Sequence, residues 1–371
     1  MSKEFEEGFK DFLDGIDDPR INRKKLYSLS ELFFLTLAAL ICGADGWNDI
    51  ESFGREKLDY LRQFLPYTNG IPSDDTLRRF FRRLNPDAFK TCFAKWMENL
   101  GQAKDRLISI DGKVSRHSFD GDQSPLHLVT AFASEARLVL AQQKVADKSN
   151  EITAIPELLK LLDIKGSTVT IDAMGCQRAI AEQIQLAQAD YVLSLKGNQG
   201  TLHDDVMLLF QDEERVQTLA KEQKYTQVEK GHGRIETRSC TVMDMPNELK
   251  KLHNWPGLQT VVEIESTREI KAKKTQEKRY YISSVSVGAK EMLGCVRSHW
   301  AIENSLHYVL DIAFKDDASR IRQGNGPLNL GIVKHMALNL LRQAQRPRES
   351  IQRLRKMAGW NNEKLSEILA F

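Results

Sequence analysis

The stretch RLISIDG, residues 106–112, is where the sequence changes from helical patterns to strand patterns. A short apolar run closed by Asp-Gly is typical of a β-strand that ends in a turn. The segments that begin with this strand follow the order β-β-β-α-β-α-β up to about residue 199. This order predicts an α/β fold in which helices pack on a mixed sheet.

The strand and helix patterns after residue 112 can be placed individually. The predicted elements are a hairpin over 127–145 with its turn near 134–136, a helix over 151–163, a strand over 167–175, a helix over 176–188 and a strand over 191–199 that runs into a loop. Residues 203–210 suggest a short helix, and RIETRSCTVMDM (234–245), LQTVVEIESTREI (258–270) and KRYYISSVSV (278–287) each predict a strand. From about residue 287 to the end the pattern is helical again.

The first hundred residues read as helical. LYSLSELFFLTLAALICGA (26–44) predicts a buried helix that ends at its glycines, and IPSDDTLRRFFRRLNPDAF (71–89) predicts a second helix with Ser73 as N-cap. In this second helix Phe80, Phe81 and Leu84 should face the core. The opposite side carries Arg78, Arg79, Arg82 and Arg83. Such a face either grips phosphates or is a solvated surface paired with nearby acids.

Composition and charge restrict the class of protein. No apolar run reaches eighteen residues, so a membrane span is not expected, and five dispersed cysteines without metal-ligand spacing suit a reducing, cytoplasmic compartment. Residues 319–371 contain ten basic and three acidic residues, whereas residues 1–100 contain 15 and 17. A basic C-terminal region indicates either contact with a polyanion or a solvated helical surface.

Two carboxylates lie at the ends of predicted strands. Asp111 ends ISID, and Asp172 ends TVTID. A single aspartate at a strand end is usually a turn residue. Two of them on one sheet raise the possibility of a shared site.

A third carboxylate lies in HWAIENSLH, residues 299–307, where His299, Glu303 and His307 are spaced four apart. Ile302, Leu306, Val309 and Ala313 form the expected buried stripe of this helix, with Glu303 at its border. The spacing also suits zinc, but the HExxH motif of zinc enzymes is absent. The histidines would then orient Glu303, contact DNA or simply pack as polar residues.

Three acids that face one another repel unless a divalent cation neutralises them. Hard oxygen ligands suit Mg²⁺ or Mn²⁺. Two such ions can activate a water or a 3′-hydroxyl and stabilise the leaving oxygen of a phosphodiester.

The chain resembles the DDE transposases of bacterial insertion sequences, in the H-repeat-associated branch linked to Rhs elements. The resemblance is carried by the sheet order and by ISIDGK, TIDAMGCQ, the YVLSLKGNQ loop and HWAIENSLHYVLDIAFKDD. NGIPSDDTLRRFF resembles the accessory domain of that branch. The resemblance implies an RNase H-like core with a five-stranded mixed sheet, and a catalytic, metal-binding triad of Asp111, Asp172 and Glu303. It also implies a helical, DNA-binding accessory domain over 1–103, a catalytic domain over 104–318 with a β-rich insertion at about 205–285, and a basic helical region over 319–371.

One signature of related transposases is altered. They carry Tyr-x2-Arg-x3-Glu-x6-Lys around the last acid, whereas counting from Glu303 puts Val296 at the Tyr position, His299 at the Arg position and Leu310 at the Lys position. Arg297 is a candidate to replace the missing arginine.

Other polar residues are candidates for contacts with DNA. They are Lys113 after the first aspartate, the loop residues Lys196, Asn198 and Gln199, and His232, Arg234 and Arg238 in HGRIETR, with Lys196 preferred. An ordinary surface role is the alternative for each.

The resemblance implies a DNA transposase that acts on double-stranded DNA, at element ends and at a target, with two Mg²⁺ or Mn²⁺ ions. The implied assembly is a homodimer on DNA, located with the nucleoid in a bacterial cytoplasm. Two alternatives stay open: a nuclease without strand transfer, and a DNA-binding relative with a degenerate core.

Overall fold

The computed structural model of the chain describes residue 9 and residues 12–99, 107–118, 124–146, 149–231, 233–271 and 273–370. Its α-helices are α1 (Leu29–Ile41), α2 (Trp47–Glu56), α3 (Leu58–Leu61), α4 (Asp74–Arg83), α5 (Pro86–Asn99), α6 (Glu151–Leu159), α7 (Arg178–Leu186), α8 (Gly200–Gln211), α9 (Glu213–Gln217), α10 (Asn247–His253), α11 (Ala289–Ile302), α12 (Tyr308–Ala313), α13 (Gly326–Ala344), α14 (Ile351–Trp360) and α15 (Asn362–Leu369). A π-helical turn, Glu303–His307, joins α11 to α12.

The strands are β1 (Leu107–Ser115), β2 (Leu126–Ala133), β3 (Leu138–Lys144), β4 (Thr168–Ile171), β5 (Asp190–Leu195), β6 (Lys224–Gly231), β7 (Arg234–Asp244), β8 (Thr260–Ile270) and β9 (Lys273–Ser283). They follow the order β3-β2-β1-β4-β5-β9-β8-β7-β6 in a mixed sheet. The predicted order β-β-β-α-β-α-β is confirmed by β1 to β5 with α6 and α7, and the hairpin turn falls at residues 134–137.

The described sheet is larger than predicted. The resemblance implies five strands, whereas the structure has nine. The reason is that β9 pairs antiparallel with β5, so the strands of the inserted region continue the sheet instead of forming a separate layer. One of them, β6, lies in a charged stretch for which no strand is predicted.

The chain divides into two compact units. The helix-rich unit comprises Met1–Lys104, Gly112–Asn150 and Glu303–Phe371, and the strand-rich unit comprises Asp105–Asp111 and Glu151–Ile302. The accessory-domain, catalytic-domain and C-terminal boundaries expected from the sequence stay predictions.

The helix-rich unit forms around α1, which is apolar on every side. The side chain and amide of Ser28 exchange hydrogen bonds with Glu31 at 3.1 and 2.7 Å, which is a capping box that starts the helix. Leu32–Ile41 are buried, and the Phe33 ring contacts Phe81 with ring centroids 5.5 Å apart. A helix that is hydrophobic all round is stable only when other elements cover it.

Helix α4 agrees with its sequence pattern. Ser73 Oγ accepts a hydrogen bond from Thr76 N at 3.3 Å, which confirms the predicted N-cap. Phe80 and Phe81 are buried as predicted, and so is Leu84 just after the helix. The four arginines, Arg78, Arg79, Arg82 and Arg83, are exposed.

In the strand-rich unit, β1, β4 and β5 are parallel neighbours and the other pairs are antiparallel. Helix α11 packs on this sheet through Met292 and Val296, which join a buried cluster with Val192 and Val262. This packing fixes the rotation of α11, and therefore the direction of the polar residues near its end.

The predicted stripe beyond Glu303 is partly wrong. Leu306 and Ala313 are buried, but Leu310 is buried where Val309 was expected, and Val309 is half-exposed. The cause is the π-helical turn Glu303–His307. A π turn accommodates an extra residue, so positions after it rotate relative to a regular α-helix.

Candidate active site

Asp111 and Asp172 lie on neighbouring parallel strands. Asp172 directly follows β4, whereas Asp111 lies within β1, because this strand continues to Ser115 instead of ending at Asp111 as predicted. Ile110 is paired with Ile171 across β1 and β4, so each aspartate comes one residue after a paired position. Parallel strands lie about 4.8 Å apart, and equivalent positions point to the same side of the sheet. The two aspartates therefore occupy neighbouring positions just after the last paired residues of β1 and β4, and both are half-buried.

The Asp172 side chain is held by its own loop. Its Oδ1 accepts hydrogen bonds from the backbone amides of Met174 at 3.0 Å and Gly175 at 3.2 Å. Gly175 is packed so closely that an added Cβ would lie 2.3 Å from Ile171 Cγ2. The turn interpretation and the site interpretation of Asp172 are thus compatible, because the turn orients the carboxylate.

The loop after β5 is tied to this aspartate loop. Asn198 Nδ2 donates to the carbonyl oxygen of Ala173 at 2.9 Å, and Gln199 Nε2 donates to that of Cys176 at 2.6 Å. Lys196 is exposed at the start of the same loop. Two of the three predicted DNA contacts here hold the backbone around Asp172, and Lys196 is the one whose cationic end faces solvent.

His299 is joined to β4 by a chain of hydroxyl groups. Its Nδ1 lies 3.0 Å from Thr170 Oγ1, the Thr170 hydroxyl donates to Ser109 Oγ at 3.0 Å, and Ser109 donates to the Ser298 carbonyl oxygen at 3.5 Å. Burial lowers the pKa of His299, although the charge of Asp172 opposes that shift. Sequence reasoning missed Ser109 and Thr170, but each lies two residues before a candidate aspartate, as a polar residue inside an apolar strand.

Arg234 and Arg238, predicted on the inserted sheet, are ion-paired, and so is Arg297 of α11, the candidate for the missing signature arginine. Arg297 Nη1 lies 2.8 Å from Glu229, and Arg238 contacts the same carboxylate at 2.8 Å. Burial alone would raise the pKa of Glu229, but the two arginines hold it below its usual value. Arg234 is paired with Glu236 at 2.9 Å. His232 lies outside the described residues.

Glu303 belongs to the helix-rich unit, where it is exposed and begins the π-helical turn. Single π turns inside α-helices are rare overall, and those that occur are often found at functional sites. The two aspartates and Glu303 therefore belong to different units, and the triad stays a prediction.

Lys113 is anchored in the helix-rich unit rather than extended into solvent. Its Nζ lies 2.8 Å from Asp311 and 3.5 Å from Asp317. Next to it, Ser115 donates to Asp316, and Lys334 Nζ reaches the same carboxylate at 2.7 Å. Burial alone would raise the pKa of Asp316, but Lys334 keeps it below its usual value.

Some basic side chains of the C-terminal region are buried. Lys334 is 2% exposed and Arg355 is 3% exposed. Arg355 donates to the carbonyl oxygens of Leu40 at 2.9 Å and Ala44 at 3.1 Å, and its guanidinium lies over the Phe314 ring. Part of the positive charge counted in the sequence therefore stabilises the fold and is unavailable to a polyanion.

Within the described ranges, no group of three or more His, Cys, Asp or Glu side chains is arranged to hold a metal ion. Carboxylate oxygens at the adjacent positions 111 and 172 are nevertheless the ligand type that Mg²⁺ and Mn²⁺ prefer. No helix in the described part of the chain has the length and apolar composition needed to cross a bilayer.

Comparison with known proteins gives two family matches. Residues 102–340 match the family described as Transposase DDE domain, and residues 10–97 match the one described as DDE_Tnp_1-associated. The two matched ranges meet near residue 100, where the sequence changes from helices to strands.

Of three curated proteins similar to this chain, two cover nearly all of its length and one covers a short part. "Putative transposase YncI" of Escherichia coli O157:H7 is 42% identical over 97% of this chain and 94% of its own length. "H repeat-associated putative transposase YhhI" of Escherichia coli K12 is 39% identical over 96% of both chains. "Inactive transposase YbfQ" of the same strain is 48% identical over 15% of this chain and 67% of its own length.

Proposed function

The chain belongs to the DDE transposase family, and from this premise we propose that it is a DNA transposase that cuts the ends of an insertion element and joins them to target DNA. The observation that carries the proposal is the register of β1 and β4, which supports a pair of carboxylates, Asp111 and Asp172, at neighbouring positions after the last paired residues of the two strands. Glu303 is proposed as the third acid, on an RNase H-like core.

DDE transposases generally use divalent metal ions, and two Mg²⁺ or Mn²⁺ ions, when bound, would supply activation of the attacking oxygen and stabilisation of the leaving oxygen. The proposed ligands are Asp111, Asp172 and Glu303. The chain's own contribution is to hold these acids in place: the amides of Met174 and Gly175 orient Asp172, and Asn198 and Gln199 brace the same loop.

Double-stranded DNA is the proposed substrate, and candidate contacts fall into two groups. Lys196 and the arginines of α4 are exposed cations that suit phosphates. The second group is held by partners within the protein and comprises Lys113, Arg234, Arg238, Arg297 and His299. These side chains either position the site or contact DNA after exchanging their protein partners for phosphates. Bringing two element ends together requires two active sites, so we propose a homodimer on nucleoid DNA in the bacterial cytoplasm.

The test is metal-dependent cleavage of DNA that carries the element's own ends, with Asp172→Asn as the variant. An asparagine keeps an Oδ1 acceptor for the amides of Met174 and Gly175 but loses the negative charge, so the fold should persist while cleavage falls by at least about 10³-fold. Asp163→Asn is a matched control, because Asp163 Oδ1 also accepts a hydrogen bond from a nearby amide, that of Lys165, at 3.2 Å. Cleavage by Asp172→Asn at the wild-type rate would refute the assignment.

Two alternative functions remain: a nuclease that uses the same three acids for catalysis, and a DNA-binding relative that does not use them for catalysis. A nuclease would cut but would not join a pre-nicked end to labelled target DNA, so joined product excludes it. A degenerate DNA-binding relative would bind ends without Mg²⁺- or Mn²⁺-dependent cleavage. This second alternative is favoured by the altered residues around Glu303 and by one relative whose name calls it inactive.

A further inference from the structure

An open cleft of about 250 Å³ in the helix-rich unit is lined by arginines from two distant parts of the chain. Arg78 comes from α4, and Arg320 and Arg322 come from the loop before α13. Trp47 forms part of the wall and stacks on Phe81, with ring centroids 5.2 Å apart. Among the described residues that line this arginine cleft, none is acidic.

The loop that carries Arg320 and Arg322 is docked on Arg82. Asn325 N donates to the Arg82 carbonyl oxygen at 3.2 Å, and Arg82 Nη1 donates to Gln323 Oε1 at 3.3 Å. Gly324 has φ +54°, and a Cβ there would lie 2.7 Å from Arg82 Cγ, so this close approach requires glycine. Arg82 therefore acts as a support that brings the loop arginines to Arg78.

The positive charge of Arg78, Arg79 and Arg320 exceeds the negative charge that pairs with these three side chains. Arg78 and Arg79 share a single carboxylate, that of Asp75. Arg322 Nε donates to the carbonyl oxygen of His117 at 3.0 Å, which fixes its direction. Arg320 is exposed, and no hydrogen bond or ion pair within the described ranges holds it. Like charges gathered in this way are stabilised when an anion binds between them.

Guanidinium groups suit phosphate for a geometric reason. Their planar N–H donors match two oxygens of one phosphate, and several arginines along a cleft match successive phosphates of a strand. We propose that the arginine cleft binds backbone phosphates of DNA through Arg78, Arg320 and Arg322. The inference rests on the proposed function only for the choice of DNA as the polyanion.

The test is DNA affinity of the full-length chain in EDTA, measured by fluorescence anisotropy of a labelled duplex at several salt concentrations. Arg320→Gln is the main variant, because Arg320 is exposed and its loss should not disturb folding. We expect the dissociation constant to rise about five- to tenfold and the salt dependence to weaken by about one counterion. Arg320→Lys, which keeps the charge, should recover most of the affinity.

Arg215→Gln is the matched control, since it removes one charge from α9, outside the arginine cleft, where Arg215 is paired with Asp212. An unchanged affinity and salt slope in Arg320→Gln would overturn the proposal, and so would an equal loss in Arg215→Gln. Polyglutamate and unlabelled duplex are compared as competitors for the labelled duplex at the same total charge. Equal competition by the two would overturn the choice of DNA and indicate an acidic protein partner.

Failure of this inference and failure of the proposed function are distinguishable. Binding in EDTA involves no cleavage. If Arg320→Gln lowers the affinity for DNA but the chain never cuts DNA, the arginine-cleft proposal stands and the transposase proposal fails. If the chain cuts element ends and Arg320→Gln binds DNA with unchanged affinity, the transposase proposal stands and the arginine-cleft proposal fails.

Discussion

Thr170 Oγ1 lies 3.0 Å from Nδ1 of His299, and the direction of this hydrogen bond is determined by the residues behind it. The Thr170 hydroxyl gives its only proton to Ser109, so it can only accept from His299. His299 therefore carries its proton on Nδ1, and its Nε2 presents a lone pair. Burial lowers the pKa of His299, which favours this neutral form over a cation.

This relationship predicts different effects for two substitutions of His299. His299→Asn can place an amide N–H near the Nδ1 position and keep the bond to Thr170, so its free energy of unfolding should stay within about 1 kcal/mol of wild type. His299→Leu removes the donor and should cost about 1–3 kcal/mol. Denaturant unfolding of both variants measures the difference, and equal losses would contradict the hydrogen-bond assignment.

A second prediction concerns the buried ion pair between Lys334 and Asp316. Lys334→Met leaves the Asp316 carboxylate without its cation and should cost about 3–5 kcal/mol of unfolding free energy. Lys160 and Glu157 form an exposed pair of the same length, 2.7 Å, so Lys160→Met should cost less than about 1 kcal/mol.

Urea unfolding of both single variants, and of Lys334→Met combined with Asp316→Asn, tests this prediction. The double variant should lose less than the sum of its single variants, because neither charge is then left alone. Additive losses would mean that the pair does not act as a unit.

The third prediction is a pH dependence that comes from His335. Burial lowers the pKa of His335 to about 4, against the opposing charge of Asp316 and with help from His307 and Lys334. Between the unfolded value near 6.5 and the folded value, only the unfolded chain takes up the proton, so stability falls as pH falls, by up to about 3 kcal/mol.

His335→Gln removes this proton uptake. The unfolding free energy of the variant should therefore decrease less between pH 6.5 and pH 4 than that of wild type, as measured by denaturant midpoints at a series of pH values. His299, whose pKa is also lowered, contributes equally to both proteins and cancels in the difference. Parallel curves for wild type and variant would contradict the role of His335.

A fourth prediction compares two glycines of the strand-rich unit. An added Cβ at Gly175 would meet Ile171 Cγ2 at 2.3 Å and Ile155 Cδ1 at 2.7 Å, so Gly175→Ala should destabilise by about 1–3 kcal/mol and loosen the amides that hold Asp172. Gly294 lies in α11 with nothing within 4 Å of an added Cβ, so Gly294→Ala should stabilise by up to about 1 kcal/mol. Thermal unfolding and hydrogen exchange at Met174 check both, and stabilisation by Gly175→Ala would refute the packing argument.

Local sequence signals predicted much of the fold correctly because they report short-range physics. Ser73 as N-cap, the buried Phe80 and Phe81, and the strand that ends before Asp172 all follow from capping, periodicity and turn preference. The predicted strand end at Asp111 is wrong, because β1 continues to Ser115. The same signals did not predict β6, because its charged residues lack an alternating pattern and the strand exists by pairing with β7.

The sequence by itself determined the order of elements, the family and the identity of the candidate acids. Only the tertiary structure decided which charges are used internally: Lys334 and Arg355 look like surface cations in the sequence but are buried against Asp316 and the carbonyl groups of α1 and its following loop. It also decided that Leu310, not Val309, is buried after the π turn. The physical reason is that burial and ion pairing depend on partners outside the local pattern, 18 positions away for Lys334 and Asp316 and more than 300 for Arg355 and its carbonyl partners.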